Sequence, residues 1–339
     1  MKKSLLAVAL LGAFSGAAFA QSSVTVYGLI DAGISRDDNG APAGAKLGQD
    51  SGLQNGSRLG FKGTEDLGGG LKANFVLESG IKEDTGTYDQ GGLSFGRQAY
   101  VGLSGDFGSV NLGRQKSITY TISETVDPFS LGLAGNIDRL FKTGSRRDNA
   151  VTYTTTNLSG FTGSAQYAFG EVAGNNTANR TLGVSGTYAA GPVYAAIAYE
   201  KVNDANGNLG LASASAGKKL FVGGTYDFGV AKAHAAYENL KGSTSLTNLT
   251  ETEQRIWMIG ASVPFGASSF LVDYTRVKDE NLANANAKQY ALGYLYALSK
   301  RTNLYTSYSR TTNDANVAYN AGVKGGTDSL FSAGIRHLF

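Results

Sequence analysis

The sequence predicts an all-β protein, a 16-stranded antiparallel transmembrane β-barrel. Three features support this prediction: apolar and polar residues alternate with a period of two along most of the chain, the breaks between these runs alternate between short and long, and the first 20 residues have the form of an export signal. A period of two indicates strands with one apolar and one wet face. A barrel that spans a membrane shows this pattern because only alternate residues face lipid.

The amino-terminal segment has the three parts of a secretory signal. A basic start is followed by an apolar run over 5–14 and by an A-x-A cleavage pattern at 18–20. The apolar run is too short for a transmembrane helix, which needs about 20 residues. We therefore expect a signal peptide over 1–20 and one barrel domain over 21–339.

The composition excludes several classes of function. The chain has no cysteine and only two histidines, so thiolate metal sites, iron–sulfur clusters and cysteine nucleophiles are excluded, and we expect no cofactor and no metal. Its 30 basic and 27 acidic residues nearly balance, which gives no sign of a basic face for nucleic acid. Glycine is abundant (47 residues) and proline is scarce (4), as expected for many strands joined by turns.

The alternation of apolar and polar residues is clear in individual segments. Every second side chain is apolar or aromatic in 193–199, and 270–275 and 289–299 repeat this pattern. Every second residue from Phe331 to the terminal Phe339 lies on one face of a predicted strand. We therefore expect a last strand that pairs with the first and closes the sheet, which removes the unpaired edges that hydrocarbon cannot solvate.

The lengths of the breaks give the number of strands. Short breaks lie at 65–70, 105–108, 157–160, 190–192, 227–229, 264–266 and 299–301. Long polar breaks lie between them, at 37–56, 84–94, 116–147, 171–179, 201–218, 239–252, 278–287 and 311–327. A soluble sandwich has no reason to separate its loops in this way, whereas a membrane barrel has short turns at one end and long loops at the other. About sixteen strands follow, and a barrel of this size encloses an aqueous channel.

The third long loop, 116–147, is the longest internal break. It contains apolar residues that would be poorly placed at a solvated loop tip, namely Phe129, Leu131, Leu133, Ile137, Leu140 and Phe141. Inside a barrel these side chains would pack against the wall, and loops of this length usually carry function. We therefore predict an inserted third extracellular loop, with Glu124 and Asp127 among its acidic residues.

Several segments resemble the general porins of Gram-negative bacteria, in particular the β-proteobacterial type. They are SVTVYG at 23–28, RLGFKG at 58–63, GRQAYVGL at 96–103, LGRQ at 112–115, DPF at 127–129 and the terminal Phe339. The resemblance covers the whole chain after the signal. It implies an outer-membrane homotrimer of 16-stranded barrels, passive diffusion of small hydrophilic solutes and ions, and recognition of Phe339 by the outer-membrane assembly machinery.

The resemblance also implies a ladder of arginines on the wall opposite the third loop. The matching positions are Arg58, Arg97 and either Arg146 or Arg147. Arg97 shares its phase with residues such as Val101, so periodicity alone turns Arg97 outward. The resemblance places it inward.

Two lysines join the predicted constriction by alternation. Lys62 shares the phase of Arg58, and Lys72 lies on the phase opposite the apolar residues of its strand. The candidate cations outnumber the loop acids Glu124 and Asp127. Fixed positive charge raises the local concentration of anions, so we predict a mild anion preference.

Two other functions are weaker alternatives. One is a substrate-specific or gated outer-membrane channel, for which no loop carries a readable ligand code. The other is an outer-membrane enzyme such as a barrel lipase, which needs a nucleophile, a base and an orienting group within reach. Neither His234 nor His337 has a Ser-His-acid constellation in the sequence, so we expect no enzyme activity.

Overall fold

A closed barrel of sixteen antiparallel strands forms the molecule. The computed structural model describes residues 23–205, 217–243 and 251–339, and the predicted signal peptide over 1–20 lies outside these residues. The predicted fold class is confirmed in strand number, antiparallel pairing and closure. No helix among the described residues is long and apolar enough to cross a membrane.

The barrel strands follow the chain in order, and two short strands lie inside loops. The sixteen barrel strands are β1 Ser23–Asp38, β3 Arg58–Gly68, β4 Leu71–Lys82, β6 Gln98–Gly105, β7 Gly108–Lys116, β8 Arg146–Thr154, β9 Phe161–Ala168, β10 Thr181–Ala190, β11 Val193–Val202, β12 Gly217–Asp227, β13 Lys232–Ser243, β14 Glu251–Phe265, β15 Ser268–Asp279, β16 Ala287–Ala297, β17 Thr302–Asn313 and β18 Thr327–Leu338. The loop strands are β2 Lys46–Ser51 and β5 Thr87–Tyr88, and the one α-helix of the described residues is α1 Ile118–Val126.

Strand β1 closes the barrel by pairing with both ends of the sheet. Residues 23–29 of β1 pair with β3, and residues 29–38 pair with β18. At the seam the Gly28 N–H donates to the Phe339 carbonyl at 3.2 Å, and the Phe339 N–H donates back to the Gly28 carbonyl at 3.1 Å. The first and last strands therefore leave no open edge.

The connections alternate between short turns and long loops, as predicted. Seven stretches of two to six residues join the strands at one end, for example 69–70, 106–107 and 266–267. Gly69 and Gly70 have φ values of 59° and 82°, a region that favours glycine, which explains the glycine run at this turn. The longest connection at the other end is the third, residues 117–145 between β7 and β8.

The barrel wall is polar inside and apolar outside. In β17 the buried phase carries Asn303, Ser307 and Ser309, whereas Leu304 and Tyr308 on the other phase are exposed. This is the reverse of a soluble protein, and it matches a lipid-facing outer surface around a wet interior.

Two clusters of buried apolar side chains lie inside the barrel, between the third loop and the wall. One cluster joins loop residues such as Ile122 and Phe141 to wall residues such as Phe221 and Ile256, and a second joins Phe129 to the wall. Packing of the third loop against the inner wall thus supplies the hydrophobic core, and this packing positions the candidate site.

Candidate pore constriction

The third loop opens with α1, which starts immediately after β7. The Ser117 side-chain oxygen accepts a hydrogen bond from the Tyr120 backbone N–H at 3.1 Å and so caps the amino terminus of the helix. The Ser117 side chain also donates to the Thr143 carbonyl at 3.2 Å, which joins the two ends of the loop. The loop is therefore closed on itself at its base.

The two faces of α1 have different surroundings. Ile118, Ile122 and Val126 recur every four residues, and all three are buried against the barrel wall. Tyr120 and Glu124 are only half-buried. The spacing of the apolar residues thus turns Tyr120 and Glu124 away from the wall that the helix packs on.

Asp127 follows α1 and organises the turn after it. Its carboxylate accepts hydrogen bonds from the backbone N–H groups of Phe129, Leu131 and Ile137 at 3.0, 2.8 and 3.2 Å. Asp127 is 1% exposed, so the prediction that it lines the passage is wrong. The tight turn needs an acceptor for its inward-pointing N–H groups, and Asp127 supplies it. Burial raises the pKa of Asp127 to about 7, although the three hydrogen bonds act in the opposite direction.

Phe129 is the apolar anchor of this turn. It packs in a cluster with Leu271, Ala291 and Tyr305 of the wall. Gly293 lies directly beneath the ring, and a Cβ at that position would be 2.7 Å from Cε1 of Phe129. The absence of a side chain at Gly293 thus makes room for the loop.

Polar contacts also fix the loop to the wall at several heights. These are His234 Nδ1 to the Val126 carbonyl (2.8 Å), the Ala134 N–H to Ser307 Oγ (3.1 Å), the Leu133 N–H to the Leu53 carbonyl (2.6 Å), Arg139 to Asp328 (2.5 Å) and the Lys142 N–H to Glu238 (2.9 Å). Contacts to β13, β17, β18 and the first loop hold the segment across the lumen.

Three of the predicted arginines lie together on the wall and are called here the arginine cluster: Arg58, Arg97 and Arg146. Arg97 Nε donates to Glu78 Oε1 at 2.7 Å, and Arg146 Nε donates to the Arg97 carbonyl at 2.8 Å. Arg58 Nε donates to the Gly56 carbonyl at 3.0 Å, and the charge of Arg58 interacts with those of Arg97 and Glu78.

The arginine cluster faces α1. Arg58 interacts electrostatically with Glu124 and Tyr120, and Arg146 interacts with Tyr120. Glu124 also pairs with Lys116 at 2.6 Å. Burial and the charge of Glu124 raise the pKa of Tyr120, so the phenol stays protonated at neutral pH.

Arg97 reaches the cluster because it is not part of a regular strand. Strand β6 begins at Gln98, so Arg97 precedes the strand. Its side chain therefore does not have to follow the alternation that turns Val101 outward. Its backbone N–H donates to the Glu78 carbonyl at 3.1 Å, and its side chain turns toward the inward-facing Glu78 carboxylate.

Lys62 and Lys72 lie on the inward phase but away from the cluster. Lys62 is four residues from Arg58 along β3, roughly 13 Å toward the short-turn end, and its Nζ lies 5.2 Å from the centre of the Tyr27 ring. Lys72 pairs in register with Ser104, at the end of β6 that leads into a short turn. Both lysines are exposed, and they extend the positive wall toward that end.

Arg147 does not join the arginine cluster. It is buried, and its Nη2 lies 3.6 Å from Glu200, which also pairs with Lys219 at 3.3 Å. Lys219 in turn donates to the Thr143 carbonyl at 2.9 Å. From the sequence, either Arg146 or Arg147 could belong to the arginine ladder. In the structure Arg146 lies in the arginine cluster, whereas Arg147 lies in a buried ion-pair group with Glu200 and Lys219.

Three residues of the site were missed by the sequence reasoning. Glu78 and Lys116 pair with groups of the site, and Tyr120 faces the arginine cluster. The inward phase of β4 places Glu78 in the lumen, which was a usable signal, but nothing in the sequence indicates that it pairs with Arg97. Within the described residues no group of three or more metal-ligating side chains is close enough to hold a metal ion.

Comparison with known proteins gives the family. A family model described as Gram-negative porin matches residues 7–316. The chain belongs to the Gram-negative porin family. It is 34% identical to an outer membrane porin protein of Bordetella pertussis and 35% identical to outer membrane porin protein 32 of Delftia acidovorans, and in both cases the match covers 100% of each chain.

Solved porin structures agree with the fold. A porin of Comamonas acidovorans, described as anion-selective, superimposes with a TM-score of 0.83 at 31% identity, covering 94% of this chain and 100% of that one. Salmonella typhi OmpF superimposes with a TM-score of 0.71 at 19% identity, which shows the shared fold alone. The porin described here is therefore a passive channel of the Gram-negative outer membrane for small hydrophilic solutes and ions.

Proposed function

We propose that this porin is a general diffusion channel with a mild anion preference, and that Arg58, Arg97, Arg146 and Glu124 form its narrowest passage. The observation that carries the proposal is the arginine cluster facing α1. Guanidinium groups remain charged at any working pH, so the field across the passage is permanent. The anion-selective porin of Comamonas acidovorans supports the sign of the preference.

The charges around the passage do not cancel. Two carboxylates, Glu78 and Glu124, face the three arginines of the cluster and Lys116. The excess of two positive charges raises the local anion concentration. Lys62 and Lys72 add positive charge on the same wall toward the short-turn end. Because the excess is small, we expect a preference and not an exclusion of cations.

The charged wall and the loop also favour small polar solutes. Cations on one side and a carboxylate on the other create a transverse field, which orients dipolar solutes and penalises apolar ones that must give up ordered water. This arrangement supports general diffusion better than recognition of one substrate. It requires no cofactor, and we propose transport without enzyme activity.

Three further parts of the proposal concern export and assembly. We propose that residues 1–20 are a signal peptide, that the mature chain forms a homotrimer, and that Phe339 is read by the outer-membrane assembly machinery. Outer-membrane localisation of the family supports the first and third, and the general porin resemblance supports the second. Cross-linking of the purified porin, which should give a band of three chains, tests the trimer.

Reversal potentials across planar bilayers in a potassium chloride gradient test the selectivity. We expect a wild-type potential with the sign of anion preference, and a permeability ratio of chloride to potassium of about two to five. Replacing Arg58 and Arg97 with Ala should raise the conductance and bring the ratio toward one. Arg36→Gln is the control, since Arg36 lies on the outward phase of β1 and pairs with Asp38 at the long-loop end.

Each outcome of this experiment is decisive. A cation-selective wild type would overturn the anion preference. Unchanged values in the Arg58→Ala and Arg97→Ala variants would remove these residues from the narrowest passage. Conductance that one solute blocks at micromolar concentration while related solutes do not would favour the alternative of a substrate-specific channel.

A further inference from the structure

A cavity of about 290 Å³ lies inside the barrel, between α1 and the wall formed by β8, β9 and β10. Its side toward the lumen is open, since Thr121 and Thr125 of α1 are exposed there. The volume is at the lower end of the range for ligand pockets, roughly 300 to 1,000 Å³, so the space suits one small solute. It is called here the hydroxyl cavity, because six hydroxyl-bearing residues line its wall side: Thr152, Thr154, Thr162, Ser164, Ser185 and Thr187.

The strand directions place the hydroxyl cavity on the short-turn side of the narrowest passage. Thr154 is the last residue of β8, and Thr187 lies three residues before the end of β10. Both strands lead there into short connections. Arg146, at the other end of β8, belongs to the arginine cluster. A solute that moves from the arginine cluster toward the short-turn end therefore passes the mouth of the cavity.

Strand alternation produces the hydroxyl-bearing wall. Thr152 and Thr154 face the lumen, whereas Tyr153 between them is exposed on the outer surface. The register brings Ser164 opposite both Thr154 and Ser185, and the Thr154 and Ser164 hydroxyls lie 3.0 Å apart. A hydroxyl can donate one hydrogen bond and accept two. These side chains thus bond to one another and still have sites left for a solute.

The α1 side of the hydroxyl cavity combines apolar and hydroxyl groups. Ile118, Thr121, Ile122 and Thr125 follow the helical spacing that puts them on one face, and all four line the cavity. Tyr194 of β11 lines it as well, and its hydroxyl forms a hydrogen bond with the Thr125 side chain. A cyclic polyol has C–H groups on its ring faces and hydroxyls around its edge. The cavity offers a partner for each kind of group.

The hydroxyl cavity is nearly without free charge. Among the described residues that line it, Lys116 is the only charged one, and its Nζ pairs with Glu124 at 2.6 Å. An anion in the cavity would therefore compete with Glu124 for Lys116, and a cation would find no carboxylate on the wall. These surroundings favour an uncharged solute.

Gln166 adds a buried acceptor to the wall of the cavity. It is 4% exposed, and its Nε2 donates to the Lys116 carbonyl at 3.0 Å and to the Thr152 hydroxyl at 2.9 Å. Its Oε1 has no hydrogen-bond partner within the described part of the chain. A buried acceptor without a donor is costly, and a solute hydroxyl in the cavity can supply the missing donor.

We propose that the hydroxyl cavity is a weak binding site for a neutral polyol of monosaccharide size. Solute hydroxyls bond to the threonine and serine wall, while the C–H face of the ring packs on Ile122 and Tyr194. The inference rests on the proposed diffusion of hydrophilic solutes, and it adds a place where uncharged solutes pause beyond the arginine cluster. Weak binding suits a channel, since a solute has to leave as readily as it enters.

Single-channel currents in planar bilayers test the proposal with glucose as the probe. Bound glucose obstructs ion flow, so the excess current noise should rise with glucose concentration and saturate. We expect half-saturation at roughly 10 to 100 mM, as a few net hydrogen bonds would give. Triethylene glycol, which is similar in size but has ether oxygens in place of most hydroxyls, should need a concentration at least about five-fold higher.

A pair of matched double variants gives the decisive comparison. Thr154→Val with Ser185→Ala removes two cavity hydroxyls with little change of shape, and it should raise the half-saturating glucose concentration about ten-fold. Thr64→Val with Ser104→Ala makes the same two changes on the inward phase of β3 and β6, where Ser104 pairs in register with Lys72. This control should change the value less than about two-fold.

Two further measurements separate this proposal from the proposed anion preference. Heat-modifiable migration in gels shows that each variant is folded. Reversal potentials in a potassium chloride gradient should be the same in both double variants and in the wild type, because no charge changes. A wild type without anion preference would thus contradict the proposed selectivity and leave the glucose result to be judged by itself.

Three results would overturn the binding site. The first is a wild-type channel whose excess noise does not saturate with glucose. The second is an equal half-saturating concentration in the two double variants, which would place the binding elsewhere in the lumen. The third is an equal response to triethylene glycol and glucose, which would assign the noise to obstruction by size alone.

Discussion

The Arg97 guanidinium and the Glu78 carboxylate form a buried ion pair with an Nε–Oε1 distance of 2.7 Å. Arg97 is 6% exposed and Glu78 is 3% exposed. The second oxygen of Glu78 accepts a hydrogen bond from the Tyr27 hydroxyl at 3.0 Å. Glu78 therefore has two roles at the constriction: it holds Arg97 in place, and it neutralises one of the three arginine charges.

Glu78→Gln should make the porin more anion-selective and less stable. The substitution keeps one oxygen that accepts from Arg97, and it replaces the oxygen that accepts from Tyr27 with an amide nitrogen, which donates to the Tyr27 hydroxyl oxygen instead. It also removes the negative charge. We expect the ratio of chloride to potassium permeability to rise about two-fold, and the free energy of unfolding to fall by about 3 kcal/mol, since a buried cation loses its partner. Reversal potentials and the midpoint of heat-induced unfolding measure the two effects.

Tyr27→Phe is the control for this prediction. It removes the hydrogen bond to Glu78 without changing any charge, so selectivity should stay at the wild-type value. An unchanged reversal potential in Glu78→Gln would show that the Arg97–Glu78 pair lies outside the ion path.

Gly293→Ala should displace the third loop. A Cβ at Gly293 would lie 2.7 Å from the Phe129 ring and 3.3 Å from Leu271. We expect a loss of about 2 kcal/mol in stability, because the core around Phe129 has no room for a methyl group, together with altered single-channel conductance. Gly186→Ala is the matched control, since a Cβ on that strand glycine meets its nearest atom only at 3.9 Å. Equal effects of the two substitutions would contradict the assignment of Gly293 as the seat of Phe129.

The stability of the turn after α1 should depend on pH through Asp127. Its folded-state pKa, raised to about 7, lies above its ordinary value of 3.8, so the folded turn binds the proton more tightly than the unfolded chain. The resulting stabilisation is fully present below about pH 4, is lost as pH rises through about 7, and amounts to about 4 kcal/mol by linkage. Hydrogen exchange of the Phe129 and Leu131 amides, corrected for intrinsic rates, should show protection that falls between about pH 5 and pH 8.

Asp127→Asn isolates the titration from the hydrogen bonds. The amide oxygen still accepts from the backbone N–H groups of Leu131 and Ile137, whereas the amide nitrogen replaces the oxygen that accepts from Phe129. The side chain carries no charge at any pH, so any remaining protection cannot titrate through this residue. Protection of Phe129 and Leu131 should then be nearly constant over the same range. The same pH dependence in this variant would assign the effect to another group.

Glu200→Gln should loosen the carboxyl-terminal half of the third loop. Glu200 lies 3.3 Å from Lys219 and 3.6 Å from Arg147, and all three side chains are buried. Removing its charge leaves two buried cations without a counter-charge, which costs about 3 to 5 kcal/mol. We expect a lower unfolding midpoint and noisier single-channel currents. The control is Glu253→Gln at the exposed loop end, where an ion pair contributes about 1 kcal/mol or less; if both variants lose equal stability, the buried group does not hold the loop.

Much of the fold was predictable because a barrel repeats one local rule. Alternate residues face lipid, so the phase of β11 or β15 can be read from the sequence without knowing its neighbours. The position of turns and loops follows from glycines such as Gly69 and Gly70 and from polar runs. The inward placement of Arg58, Lys62 and Lys72 follows from the same alternation.

The site was harder to predict, because its details depend on contacts between distant segments. Arg97 turns inward since it lies just before β6 and meets Glu78 of β4. Asp127 is an acid in the loop that was expected to pinch the lumen, yet it serves the backbone of its own turn. Arg146 and Arg147 are adjacent in sequence, and only the positions of Arg97 and Glu200 separate their roles.

The sequence by itself determined the class of the molecule: an exported chain with sixteen strands, polar toward the lumen and apolar toward lipid, with a long third loop rich in apolar side chains. These features are local, since the period of a strand can be recognised within about ten residues and each break is one continuous segment of the chain. Only the tertiary structure decided which charges face the passage and which are held behind the loop. Those assignments arise because closure of the barrel brings together side chains that are distant in the chain, such as Arg97 and Glu78, which are 19 residues apart, or Tyr305 and Asp31, which are 274 residues apart. No local pattern in the sequence indicates such pairings.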